Sequence, residues 1–224
     1  KNTALSLFGT GPAMGHNGNT FLSWFEHGGG KALYEELYRD ILKLDVVPTL
    51  LGPMWTQPLG WFKKEVKSAE DFKGLKFRVV GSPLFLDIFT ALGANPTQMS
   101  WADAQPALAS GAVDGQENPL HIFTAAKLHN VGQKYVTVWG YLADPLIFVV
   151  NRDVWNSWTP EDREIVRQAA LDAGKQEIAI ARKGLTAADD GMFKEVAAMG
   201  VTVTRLSPAE KDAFVKATRP VYDK

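Results

Sequence analysis

Arg78 is the only arginine between Arg39 and Arg152, in a stretch where lysine is common. A guanidinium offers a planar fork of N–H donors that meets a carboxylate with two parallel charge-assisted hydrogen bonds, a geometry lysine cannot copy. Some forty positions on, "VDGQENPL" (113–120) gathers Asp114, Gln116, Glu117 and Asn118 within five positions. Asp-Gly and Asn-Pro are turn chemistry, so the cluster is either a solvated turn or a set of groups converging on a ligand. For Arg78 the competing reading is a surface arginine or a structural ion pair, since strand arginines are mostly exposed.

Other chemistries are poorly represented. "GTGPAMG" places its third glycine one position late for a dinucleotide fingerprint and carries Pro12 inside the loop, so it reads as a loop. There is no G-x-S-x-G elbow and no H-E-x-x-H pair. His16, His27, His121 and His129 have no metal-ligand spacing, and surface or loop positions are expected for them. The absence of cysteine removes disulfides and thiolate chemistry. A net charge of −1, with basic residues spread along the chain, gives no footprint for nucleic acid or an anionic membrane surface. No apolar run reaches the ~20 residues that span a bilayer. The opening "KNTALSLFGTGP" lacks a basic region leading into an apolar stretch, so a mature or cropped form of an exported protein, or a cytosolic one, is expected.

These residues must be positioned by α/β elements, because strand-like and helix-like segments alternate throughout. "TALSLFG" (3–9) and "DVVPTLLG" read as strands, and "KALYEELYRDILKL" (31–44) as an amphipathic helix. "SAEDFKG" is a short capped turn. In "LKFRVVG" (75–81), Leu75, Phe77 and Val79 share one strand face, and Lys76, Arg78 and Val80 the other. Ser82-Pro83 and Ser100 start two helices. Asp114-Gly115 is expected to close the connection from helix to strand, leaving the amides near a strand end, where open α/β sheets bind ligands. "YVTVWGYLADPLIFVVN" holds two strands. Thr159 opens one or two long helices, and "VTVTRL" with a last capped helix ends the chain.

Residues 71–120, with "KGLKFRV", "LGANP" and "DGQENPL" at these spacings, closely resemble the extracytoplasmic solute-binding subunits of tripartite ATP-independent periplasmic (TRAP) transporters, DctP type. The resemblance continues more loosely through "TPEDREIVRQAALDAGKQ". It implies a two-lobed α/β fold of type II periplasmic-binding-protein character, which closes on an organic acid and delivers it to a membrane permease. Arg78 would pair with the ligand carboxylate, Asn118 would help hold the same ligand, and Trp101 would stack over the site. The stretch "GPMWTQPLGWFKKEV" is most similar to the subgroup binding 2-oxo or 2-hydroxy monocarboxylates. There Gln57 and Glu117 would coordinate a cation, Na or Ca, bridging to the ligand.

The resemblance further implies a periplasmic location, no chemistry and no required cofactor, with a homodimer left open. Family members run near 300 residues, so lobe I is expected to be incomplete at its N-terminus. Residues 1–55 and 144–183 are expected in lobe I, and 56–143 and 184–224 in lobe II. Two alternatives remain: a small α/β enzyme acting on a 2-oxo acid with Glu117 and Asp114 as acid and base, and a ligand-binding sensor ectodomain.

Overall fold

A computed structural model describes residues 23–25, 27–53, 57–81, 83–138, 145–185 and 190–222. The "TALSLFG" strand, the glycine-rich loop with His16, and Ser82 lie outside the described residues. In chain order the elements are α1 (Gly30–Glu36), continued by a π-helical turn Leu37–Ile41, then β1 (Val46–Pro53) and β2 (Gly60–Phe62). A 3-10 turn Ala69–Phe72 leads to β3 (Lys76–Val79), α2 (Pro83–Ala91), β4 (Asn95–Gln98), α3 (Trp101–Ser110) and β5 (Gly115–Gln116). There follow α4 (Leu120–Ala125), a 3-10 turn Leu128–Val131, β6 (Tyr135–Val138), β7 (Pro145–Asn151), α5 (Arg152–Ser157) and α6 (Pro160–Leu185). The last elements are α7 (Asp190–Ala198), β8 (Thr202–Arg205) and α8 (Pro208–Tyr222). Among the described residues no helix is long and apolar enough to cross a membrane.

The fold is α/β, and the chain divides into two compact units, each built from two separate segments: Lys1–Trp55 with Leu142–Ala188, and Thr56–Tyr141 with Asp189–Lys224. In the first unit β1 and β7 pair antiparallel from Val46↔Asn151 to Pro53↔Pro145, with a register shift between Leu50 and Gly52. The long helix α6 opens with Asp162 N–H donating to the Thr159 hydroxyl at 3.1 Å, a side-chain cap that satisfies one of the orphan donors of a helix start. Gly174 lets α6 lie directly on β1, because a Cβ there would collide with the Leu51 carbonyl.

The second unit holds a six-stranded sheet in the order β4-β3-β5-β2-β6-β8. β3 runs parallel to β4 and β5, β2 runs antiparallel to β5 and β6, and β6 runs parallel to β8. Register partners share a face of the pleated sheet, so two rows can be read across it. One row is Pro96, Phe77, Gly115, Phe62, Tyr135 and Thr202, and the other is Thr97, Arg78, Gln116, Trp61, Val136 and Val203.

On the first face Phe62, Phe72, Phe77, Phe85, Phe89 and Phe214 form an aromatic core closed by α2 and α8. Gly115 makes room for it: a Cβ would stand 2.7 Å from Phe62 Cδ1 and 2.8 Å from the Trp61 carbonyl oxygen. On the second face Trp61 stacks on Phe123 with ring centroids 3.9 Å apart, among Leu128, Val136, Phe193 and Val196. The apolar cover of the second face belongs to the Trp61–Val136–Val203 half of its row, and the other half carries Gln116, Arg78 and Thr97. The site therefore begins where the core of that face ends.

Candidate ligand-binding site

Arg78 owes its burial to this row. Phe77 and Val79 point into the aromatic core, and the alternation of the strand sends Arg78 to the opposite face, where its side chain is only 2% exposed. A buried guanidinium needs acceptors. Nε donates to the Met99 carbonyl at 3.1 Å, and Nη1 donates to the Glu117 backbone carbonyl at 3.4 Å. Nη1 also lies 3.5 Å from Glu117 Oε1, an ion pair between two nearly inaccessible side chains. No hydrogen bond from Nη2 to any described residue is made, so that edge of the fork remains idle. Burial pulls the guanidinium below the usual arginine range, and Glu117 partly restores it.

Glu117 is held by donors from two parts of the chain. Its Oε1 accepts the Val80 N–H at 2.6 Å beside Arg78, and its Oε2 accepts from Gln57 Nε2. Gln57 and Glu117 are both 4% exposed. The structure thus brings Arg78, Gln57 and Glu117 into one buried group, and the ion-pair reading of Arg78 holds together with its placement at a strand end. Asn118, half-buried, donates through Nδ2 to Gln116 Oε1 at 2.9 Å, while its backbone carbonyl accepts Trp61 Nε1–H at 2.8 Å. Trp101 opens α3 two residues beyond Met99, and its indole is exposed and outside the hydrogen-bonded group. The Ser100 cap, whose hydroxyl accepts the Asp103 N–H at 3.3 Å, fixes where that helix and its tryptophan begin.

The expected turn at Asp114-Gly115 is corrected. Gly111, with φ 79°, ends α3 in the left-handed conformation, whereas Gly115 lies within strand β5. Asp114 braces the strand starts: its Oδ2 accepts the Lys76 N–H at 3.0 Å, and its own N–H donates to the Lys76 carbonyl at 2.7 Å. Asp114 and Glu117 are thus each engaged by backbone donors at opposite ends of β5. His121 and His129, expected in loops or at the surface, instead sit in α4 and the following 3-10 turn with their Nδ1 atoms buried. Desolvation lowers the His121 pKa.

Sequence reasoning assigned no role to Gln116, which is fully buried beside Arg78. Its signal was its place directly before Glu117, on the alternating pattern of a strand two residues long. The Met99 carbonyl and Val80 N–H are backbone groups, which no side-chain motif announces.

For a cation, Gln57 and Glu117 offer side-chain oxygens, but the amide N–H of Gln57 faces the carboxylate and Arg78 already meets its charge. Among the described residues no cluster of three or more His, Cys, Asp or Glu side chains could hold a metal ion.

Comparisons with known proteins follow the same outline. The family model for bacterial extracellular solute-binding protein family 7, DctP, matches residues 22–224. A TRAP periplasmic solute-binding protein from Ralstonia eutropha H16, solved with bound (S)-2-acetolactate, is 55% identical. Its superposition gives a TM-score of 0.84 and covers 98% of this chain and 68% of that one. A solute-binding protein of Verminephrobacter eiseniae is 33% identical over 159 residues, covering 71% of this chain and 45% of the relative. The ectoine-binding periplasmic protein TeaA of Halomonas elongata is 32% identical over 161 residues, covering 71% of this chain and 46% of TeaA. The chain thus spans somewhat under half the length of these curated relatives.

Proposed function

We propose, proceeding from the fact that this chain belongs to bacterial extracellular solute-binding protein family 7, DctP, that it serves as the solute-binding subunit of a TRAP transporter. In this reading it captures a small 2-hydroxy or 2-oxo carboxylate and hands it to the membrane permease. Periplasmic location goes with that family. The observation that carries the reading is Arg78: a buried guanidinium with one edge held by Met99 and Glu117 and the other edge idle. An uncommitted N–H edge on a largely buried guanidinium is what a ligand carboxylate completes with charge-assisted hydrogen bonds. The 55% identity to a protein solved with (S)-2-acetolactate, a 2-hydroxy acid, supports the ligand class.

The roles follow from the contacts. Arg78 takes the carboxylate, and Glu117 and Met99 hold the guanidinium in place so that little rotamer freedom is lost on binding. Asn118 presents its amide to the substituent next to the carboxylate, Gln57 steadies Glu117, and the exposed Trp101 indole covers apolar ligand surface. The group binds and orients, and no bond is made or broken. A Na or Ca ion shared by Gln57, Glu117 and the ligand is the least supported part of the reading, because Glu117 already has a cationic partner. No step of binding is routed through such an ion.

Calorimetry with (S)-2-acetolactate tests the reading on the wild type and on Arg78→Lys, which keeps the charge and loses the fork. Imperfect replacement at a buried charge pair costs at least about 2 kcal/mol, or roughly 30-fold in Kd. Binding by the variant within twofold of wild type would remove Arg78 from the site. Added calcium that leaves Kd unchanged would dispose of the cation.

A further inference from the structure

We infer that Gln116 is a specificity-setting residue of this site: it fixes the side-chain amide of Asn118 so that the carbonyl oxygen faces the ligand, and the site selects a 2-hydroxy acid over the corresponding 2-oxo acid. This rests on the carboxylate reading of Arg78 and goes beyond it, because the Gln116 side chain makes no hydrogen bond to Arg78 or Glu117.

Gln116 lies in register with Arg78 on one side and Trp61 on the other, and its side chain is 0% exposed. A fully buried amide should use both its oxygen and its nitrogen. Gln116 uses one. Its Oε1 accepts Asn118 Nδ2 at 2.9 Å, and its Nε2 is buried with no partner. Breaking the bond to Asn118 would leave the whole amide unsatisfied, so the pair is held together by the absence of any other partner for Gln116.

The direction of the bond is read from the pair itself: Asn118 Nδ2 donates to Gln116 Oε1, and Gln116 Nε2 is left over. The leftover atom is the nitrogen, so Gln116 acts as acceptor and Asn118 as donor. Asn118 is fixed a second time through its backbone carbonyl, which accepts the Trp61 indole N–H. With Nδ2 committed, Asn118 has Oδ1 to offer, and that oxygen accepts no hydrogen bond among the described residues.

The Asn118 amide oxygen, one residue along the chain from Glu117, can only accept. A hydroxyl next to the ligand carboxylate donates to it, whereas an oxo group at the same carbon brings two acceptors face to face. Discrimination of this kind, where a site polar group is left unpaired by the wrong analogue, is stronger than any apolar pocket supplies.

The test uses (S)-lactate, (R)-lactate and pyruvate, which differ at C2 alone, titrated by calorimetry into the 224-residue chain. At least one lactate is expected to bind ten-fold or more tightly than pyruvate. In Gln116→Leu, which removes the acceptor and frees the Asn118 amide to rotate, the ratio should collapse toward one through weaker lactate binding. Gln116→Glu, which is an acceptor only, should keep the preference even if both affinities fall. Equal wild-type affinities for lactate and pyruvate overturn the inference without any variant. So does an unchanged ratio in Gln116→Leu. If both acids bind with equal affinity and Arg78→Lys weakens both, the carboxylate reading survives and this inference alone falls. If Arg78→Lys changes neither, the carboxylate reading has failed.

Discussion

Replacing Arg78 by Met removes the cation that faces Glu117 and leaves a carboxylate only 4% exposed, with the Val80 N–H and the Gln57 amide among its remaining donors. At 3.5 Å and an effective dielectric of about 20, the lost Coulomb attraction is roughly 5 kcal/mol. Breaking a buried pair in this way costs about 3–5 kcal/mol in stability. Urea melts of wild type and Arg78→Met measure this directly. The double variant Arg78→Met/Glu117→Gln buries no carboxylate, so it should recover part of the loss relative to Arg78→Met. A double variant no more stable than Arg78→Met would mean that the charge pairing carries none of the penalty, and the ion pair would lose its place in the account of the site.

Two further outcomes follow from the second unit. Gly115→Ala should destabilise by about 1–3 kcal/mol through overpacking against Phe62 and the Trp61 carbonyl. A thermal melt that does not move would show that the aromatic core has slack there. Burial pushes the Tyr222 phenol up from 10.0 to about 12. The folded value lies above the unfolded one, so its contribution is complete below pH 10 and is lost as pH rises from about 10 to about 12. Tyr222→Phe should flatten that alkaline fall in stability, and an unaltered slope would point to other groups.

The strand of Arg78 was legible because four consecutive positions alternate between a core face and a polar one, and cap residues at the helix starts placed α2, α3, α6 and α8. β2 and β4 were not legible. β2 is three residues, "GWF", and both of its aromatics are fully buried on opposite faces, so no alternation of polarity marks it. β4 contains Pro96, which argues against a strand unless the strand lies at an edge, and β4 does lie at the edge of its sheet. Glycine types were confused for a related reason. Gly111 is required by a positive φ and Gly115 by two phenylalanine rings, and the sequence writes both with the same letter. Within the site, residue types pointed to Arg78 and the cluster Asp114–Asn118, and the family resemblance added Gln57. The contact of Arg78 with Glu117 and the bond of Gln116 to Asn118 depend on register between β3 and β5, which is set by pairing across 39 positions and has no local signal.

The strand order of the second unit also sets a timetable. β6 finds its outer neighbour only in β8, and the aromatic core under β3 finds Phe214 only in α8. Gln57, Arg78, Met99, Glu117 and Asn118 are all complete in sequence before β6 ends at Val138, yet the sheet carrying them keeps an open edge until residues 202–205 exist. At a synthesis rate of about 5–20 residues per second, that edge waits roughly 3–13 s. Closure then depends on a parallel pairing of high sequence separation, the slow kind. The Arg78 group is thus written early and its sheet closed late, and losing the last helix would uncover the aromatic core under β3.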